Sequence, residues 1–416
     1  MGMTLVEKFF ARKLGRSSVS AGETLFAPVD LVLGTDITTA LSVKIFEEME
    51  VEKVFDPGKI VLINDHFVPA KDIASANLSK KMREFALEQG IGNYFEVGRS
   101  GICHITVPEN GLVVPGDIVV GADSHTCTYG ALGAFASGIG STDMAAAWAT
   151  GELWFRIPHT IKVVLKGTLK PYVGGKDIIL NVIGQLGPAG ALYQALEFTG
   201  PLVKDLSMAD RFTICNMAIE CGAKAGLMEA DETVETYLRE RTTKKGVRLQ
   251  ADEDAKYSRV LEVDAALIEP LVAAPFDPSN VRTVKEVEGI KIDQVVIGSC
   301  TNGRIEDFRI AYGILKGRKT APGTRLLLIP GSPLVLKQMA EEDMITAFID
   351  VGAVIAPATC GPCIGGHMGV LGDNETGLYT TNRNFVGRNG PKSSSVYLCG
   401  PAVAAASALT GKITCP

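Results

Sequence analysis

No apolar run in the sequence reaches the roughly 18 residues that a membrane-crossing helix requires. The opening stretch, MGMTLVEKFFARKLG, has neither an apolar core of signal-peptide length nor a small-residue cleavage site. Val6 stands where a myristoylation signal needs Ser or Thr. The expectation is a cytoplasmic protein with no membrane partner. A cationic excess is missing too: 41 Lys and Arg against 47 Asp and Glu leave a net charge of −6, which disfavours nucleic acid as the main ligand. No Gly-Lys-Ser/Thr closes a phosphate loop, and in GALGAFASGIGSTD (130–143) Asp143 stands where a dinucleotide fingerprint needs glycine. That glycine-rich stretch therefore reads as close helix packing. Solenoid-period repeats and low-complexity tracts are absent as well. Histidine is scarce, at five, so the position of each is informative.

What is present describes a large, well-buried protein. At 416 residues, 46% apolar and 21% charged, the chain exceeds one compact core and has ample material for several. Short apolar runs, KIVLIN (59–64), DIVVGA (117–122), IKVVLKG (161–167), QVVIG (294–298), RLLLIPG (325–331) and AVIAP (353–357), alternate with helix-length segments. Near-continuous apolar strands of this kind belong to parallel sheets covered on both faces, so the fold class is α/β. Pro158 and the breaker-rich AAPFDPSNVRTV (273–284) suggest cuts into three α/β domains, 1–157, 158–283 and 284–416. The charged helical stretch 229–245 reads as a solvated face.

Nine cysteines are an odd number spread along the whole chain, which suits a reducing compartment rather than a disulfide scaffold. VVIGSC (295–300) and VIAPATCGPC (354–363) each run an apolar strand into cysteine. A thiol there would meet the N–H groups of a helix start, which favour its anion, so Cys300, Cys360 and Cys363 are read as thiolates. Several chemistries fit. A zinc site closed by His367, a redox pair or buried core thiols are one set. An iron–sulfur cube with three cysteine ligands and one bare iron is the other, and a bare iron would polarise a substrate C–O bond for dehydration.

Ligands of open α/β sheets bind beyond the carboxyl ends of strands. KIVLIN delivers Asp65 and His66 there, DIVVGA delivers Asp123, Ser124 and His125, and His104 lies between them in the chain. A carboxylate beside an imidazole fixes the tautomer and raises the basicity of the ring; the alternative is hydrogen-bonded structural histidine. His159 and His367 have no such argument. RFTICNMAIECG (211–222) reads as one helix with Asn216 and Glu220 four apart on a face, and TTNRNFVGRNG (380–390) sets Arg383 and Arg388 around Gly387, with Asn382 and Asn384 beside the first. Two guanidinium groups in one polar loop suit a ligand carrying carboxylates, although a merely exposed charged loop looks the same.

Taken in order, GADSHTCTYGALGAFASGIGSTDMA, ICNMAIECGAKAG, VVIGSCTNGR, CGPCIGG and NRNFVGR resemble the aconitase superfamily. Within it the likeness is to the large subunits of the isopropylmalate dehydratase and homoaconitase branch, and the CGPCIGGHMG form is similar to its archaeal-type members. The resemblance covers essentially the whole chain. It implies three α/β domains around one [4Fe–4S] cluster held by Cys300, Cys360 and Cys363, the fourth iron lacking a protein ligand and binding a hydroxy-acid substrate with two or three carboxylates. It further implies that Asp65, His66, His104, Asp123 and His125 assist proton transfer at the leaving hydroxyl, with Glu220 near the iron-bound oxygen. Ser124, Arg383 and Arg388 would bind carboxylates, and Asn216 and Asn382 would line the cluster. Single-chain aconitases carry a fourth, swivelling domain with the catalytic base. This chain ends at Pro416, so a separate small subunit is expected to supply both. Thr35 stands where aconitases have glutamine, which argues against citrate. Isopropylmalate is the first expectation, with homoaconitase and 2,3-dimethylmalate dehydratase as alternatives; a zinc protein or an RNA-binding relative is the reading from other classes.

Overall fold

A computed structural model describes residues 2–416. Three sheets carry the architecture. The first is wholly parallel, in the spatial order Asn93–Phe95, Ile60–Ile63, Leu31–Thr35, Ile118–Gly121, Phe135–Gly138. The second, also parallel, runs Ala225–Met228, Ala195–Thr199, Thr160–Lys166, Arg259–Asp264. In the third, five parallel strands, Ser395–Cys399, Thr376–Tyr379, Gln294–Gly298, Arg325–Ile329 and Ala353–Ile355, are extended on one side by antiparallel Leu271–Ala273 and Val281–Thr283. All six sequence-predicted strands form. Ile60–Ile63, Ile118–Gly121 and Gln294–Gly298 are buried at every position, as strands covered on both faces must be.

The sheets do not follow the second sequence cut. Leu271–Ala273 and Val281–Thr283 precede residue 284 yet hydrogen-bond into the third sheet, because the proline-rich turn between them is a hairpin on the sheet edge and not a linker. One apolar core crosses all three sheets, joining Leu33 and Val61 to Val163 and Phe198 and to Val296 and Leu398. The N-terminal helix Leu5–Lys13 is closed by a capping box from Thr4 and Glu7 and anchored on the second sheet, where the Leu5 N–H donates to Glu197 at 3.0 Å. The glycine-rich stretch is packing, as expected: a Cβ on Gly130 would come within 1.7 Å of the Gly226 carbonyl oxygen. No helix is long and apolar enough to cross a membrane among the described residues.

Candidate active site

The carboxyl ends of the first and third sheets face one cavity of about 560 Å³, lined by His66, Cys103, His104, Asp123, Ser124, His125, Cys300, Cys360, Cys363, Arg383 and Arg388. Cys300 is the second residue of a single helical turn, Ser299–Asn302, that follows strand Gln294–Gly298 directly. Gly298 makes the bend: its φ is +151°, and a Cβ there would lie 2.4 Å from the Ile329 carbonyl oxygen. Cys360 precedes, and Cys363 lies within, a 3-10 turn, Gly361–Ile364. Here the sequence reading needs correction, since the preceding strand stops at Ile355 and an irregular segment separates it from Cys360. The Cys360 N–H donates to the Asp65 carbonyl at 2.9 Å, so pairing with the first domain, not the strand end, places this thiol.

The thiolate reading also changes. Burial pushes Cys300 up to about 11 and raises Cys360 well above the usual thiol value. Short helix starts do not offset that desolvation; bound metal, which displaces the proton, does so.

Asn382 lies between two of the thiols. Its Oδ1 is 3.6 Å from the Cys300 sulfur and 3.9 Å from that of Cys363, and its amide nitrogen donates to Asn216, whose own Nδ2 donates to Thr128 at 2.7 Å. Arg388 donates from Nε to the Cys363 carbonyl at 2.7 Å, securing the loop that carries two cysteines. His367 instead bonds the Pro69 carbonyl at 3.0 Å, which takes it away from the zinc role considered above. The thiols fit an iron–sulfur group: three soft donors from two loops converge on one buried wall, with an amide positioned against their sulfurs. Cys103 is a fourth thiol on that wall, its N–H donating to Asp65 at 3.1 Å.

Around the thiols stand the acid–imidazole pairs, and their partners are not all sequence neighbours. His66 Nδ1 meets Asp65 at 2.6 Å. Asp123, however, pairs with His104 Nε2 at 2.7 Å, while His125 Nε2 pairs with Glu220 at 2.8 Å. His125 gives Asp123 its backbone N–H, at 2.7 Å. Arg383 completes the group by donating from Nε to both Glu220 oxygens, at 2.9 and 3.0 Å. The predicted continuous helix carrying Asn216 and Glu220 is also corrected: the α-helix ends at Asn216 and tightens into a 3-10 turn, Met217–Cys221, closed by Gly222 at φ +87°. The tightening turns Asn216 toward the thiols and Glu220 toward His125, and both are buried.

Charge states diverge across the site. Burial opposes ionisation of Asp123, but His104, His125 and His66 overcome it and hold the carboxyl well below the usual range. Glu220 is likewise lowered against burial by His125 and Arg383. Burial also disfavours a cationic His66, yet Asp65, the Cys360 sulfur and Asp36 raise its pKa well above the usual imidazole value. His125 moves the other way, lowered by burial and by Arg383. Titratable groups pushed apart in this manner divide acid and base roles.

Three supporting residues escaped the sequence reading. Asp36, at the start of helix Asp36–Glu48, accepts the N–H groups of Asp65, His66 and Phe67 at 3.4, 3.1 and 2.8 Å; its place just after an apolar strand was the available signal. Tyr129 bonds His104 Nδ1 at 3.1 Å and fixes the ring from its far side. Arg304 donates to the carbonyls of Cys300 and His104 at 3.0 and 3.1 Å and stacks on Phe212, 4.4 Å from its centroid. Its neighbour Asp307 accepts from the Arg304 N–H and from Asn302 Nδ2, at 2.9 and 2.8 Å, and burial pushes its carboxyl up to about 7.

Because the folded pKa of Asp307 lies above the unfolded value of about 3.9, native protein keeps that proton to higher pH. Its contribution is full below about pH 4 and is lost as pH rises through 7. The unfolding free energy from urea titration is expected to fall over that interval by an amount on the order of a few kcal/mol, and Asp307→Asn should flatten this part of the profile. An identical profile in the variant would show that another group is responsible.

The model of the Aconitase family (aconitate hydratase) matches residues 7–411. The chain belongs to the aconitase family. It is 56% identical to the 3-isopropylmalate dehydratase large subunit of Moorella thermoacetica over all of this chain and 99% of that protein. Large subunits of the same name from Caldicellulosiruptor saccharolyticus and Acetivibrio thermocellus are 56% and 55% identical, again over all of this chain and over 97% and 99% of theirs. The crystal structure of Thermococcus kodakaraensis aconitase X in its holo-form shares the fold, with a TM-score of 0.50 at 14% identity over 86% of this chain and 84% of that one. Membership makes the chain a hydro-lyase and implies an iron–sulfur cluster, which the thiol wall is suited to hold.

Proposed function

We propose that the chain is the cluster-bearing large subunit of a 3-isopropylmalate dehydratase, interconverting 2- and 3-isopropylmalate by dehydration to an alkene and rehydration, in the cytoplasmic synthesis of leucine. The observation that carries this reading is the convergence of Cys300, Cys360 and Cys363 with three acid–imidazole pairs around one cavity, in a chain matching named large subunits end to end. The three cysteines would hold one [4Fe–4S] cluster per chain, leaving one iron without a protein ligand; when bound, it supplies a Lewis acid for the substrate hydroxyl and an adjacent carboxylate.

The remaining work falls to side chains. Arg383 hydrogen-bonds Glu220 through Nε, leaving its terminal nitrogens for a substrate carboxylate, and Ser124 is exposed on the same wall. Arg388 would add a second cation there. The Asp65–His66 pair would assist proton transfer at the leaving hydroxyl together with His125, while His104, engaged at both ring nitrogens by Asp123 and Tyr129, would hold the Asp123 carboxylate in place. Glu220, flanked by His125 and Arg383, is the carboxylate available to a water or hydroxide. Asn216 and Asn382 would line the cluster.

A small subunit, as the relatives' names indicate, would close the site and bring the base that removes the carbon-bound proton. The purified chain alone is therefore expected to isomerise nothing at a measurable rate, and addition of its small subunit should restore turnover. Appreciable activity of the single chain would contradict the division of labour. A second reading has one observation behind it: ligand atoms of Asp65, His66 and Cys360 lie within 4.8 Å of one another, as around a single metal ion. Anaerobic preparation separates the two. Brown protein with about four irons per chain, active on isopropylmalate in preference to homoaconitate and 2,3-dimethylmalate when paired with the small subunit, supports the dehydratase. Colourless protein retaining one zinc would overturn it.

A further inference from the structure

Lys176 is a fully buried lysine outside the cavity, in the first turn of helix Gly175–Leu186. Its ammonium donates to two backbone carbonyls, Thr380 at 2.9 Å and Thr381 at 2.6 Å, without a carboxylate within 4.0 Å among the described residues. A buried cation with no counter-ion is an expensive way to stabilise a fold, and an apolar chain of similar volume generally serves as well or better. The two carbonyls, however, are in a particular place. They form the turn between strand Thr376–Tyr379 and the pair Asn382–Arg383, the first of which contacts Cys300 and Cys363 and the second of which grips Glu220.

The same turn is held from two other sides. Thr301, next to Cys300, donates its hydroxyl to the Thr380 carbonyl at 2.5 Å, and the Thr380 hydroxyl accepts the Gly298 N–H at 2.9 Å. Those contacts stay within the third sheet. Lys176 comes from a helix between two strands of the second sheet, and its own helix start is tied to helix Met208–Asn216 through the Gly175 N–H on Asp210, at 2.6 Å. Helix Met208–Asn216 leads directly into the turn that carries Glu220.

We propose that Lys176 is a positioning residue of the substrate-carboxylate site: its ammonium locks the 380–383 turn against the layer that carries Glu220, so that Arg383 and Glu220 keep their mutual geometry. This rests on the carboxylate-binding role proposed for Arg383. An ammonium suits the task because one nitrogen reaches two adjacent carbonyls and donates to both, which no neutral side chain of that length does. Thr301 still serves Thr380 when Lys176 is replaced, but Thr381, one residue before Asn382, loses its donor.

The test uses Lys176→Met and Lys176→Arg in the cluster-loaded chain, assembled with its small subunit. In the methionine variant KM for isopropylmalate should rise tenfold or more with kcat within about threefold, the pattern of lost binding common to ground and transition states. Deuterium uptake at residues 380–384 should accelerate while the separate two-stranded antiparallel sheet of Thr24–Pro28 and Glu152–Arg156 keeps its protection. Iron content should be unchanged, and Lys176→Arg should recover part of the KM. Unchanged uptake at 380–384 overturns the proposal, as does a uniform rise across the chain accompanied by a lower Tm, which marks a purely structural residue. Failure of both variants to fold overturns it as well. If the unmodified complex turns over none of the hydroxy acids, the reading of Arg383 falls, and the exchange comparison alone still decides whether Lys176 holds the turn.

Discussion

Replacing Cys363 by serine should remove the brown chromophore, take iron to background levels and lower turnover more than a thousandfold, with the circular dichroism of the chain unchanged. Oxygen in place of sulfur is a harder donor that is reluctant to lose its proton, and it sits in a wall where burial already opposes the anion of the neighbouring Cys300 and Cys360. The backbone has independent reasons to stay put. Arg388 keeps its bond to the residue 363 carbonyl and Asn389 its bond to the Pro362 carbonyl at 2.9 Å, so the loss should be of metal, not of fold. Cys103→Ala is the matched control: Cys103 shares the wall, but its structural tie runs through its backbone N–H to Asp65, and iron should be retained. A serine variant with full iron content, or a Cys103 variant without it, would reassign the ligands.

Asp123→Asn should lower kcat by about 10²–10⁴, with KM within a few-fold of the parent and iron content intact. Asp123 Oδ1 receives both His104 Nε2 and the His125 N–H at 2.7 Å. Its anion orients His104 and the His125 backbone within the group proposed to assist proton transfer at the departing hydroxyl. An amide keeps the shape and removes the charge, so the barrier should rise by roughly 3–5 kcal/mol. The groups proposed to bind the substrate carboxylates, Ser124, Arg383 and Arg388, are left in place. Steady-state kinetics of the two-subunit complex would measure this. A kcat within threefold of the parent would take Asp123 out of that group, with the Asp65–His66 pair next to be tested.

The pairing of acids with imidazoles shows how far local sequence carries. Asp65 and His66 are adjacent and do pair, but Asp123 and His125, read as a couple because they are close in the chain, divide between different partners. His104 approaches Asp123 from helix Cys103–Glu109, and Glu220 approaches His125 from the turn Met217–Cys221. The role of Asp36 is not local either: its target, the 65–67 turn, is brought to it only by the parallel pairing of Leu31–Thr35 with Ile60–Ile63. The helix stops at Asn216 for a reason the local pattern does not carry: apolar spacing does not distinguish an α-turn from a 3-10 turn tightened to aim one side chain.

Sequence alone determined the α/β class, the six strands and the residues at the carboxyl ends of three of them, among them His66, His125 and Cys300. Apolar runs of that length are buried wherever they pair, and a parallel strand exposes chemistry only where it stops. Tertiary structure decided which carboxylate serves which histidine, that Cys360 is seated by the Asp65 carbonyl, that the third sheet reaches back to Leu271, and that Lys176 meets the Arg383 turn. Those contacts join positions up to hundreds of residues apart, and hydrogen-bond partners at such separations are chosen by the packing of layers, which no local pattern encodes.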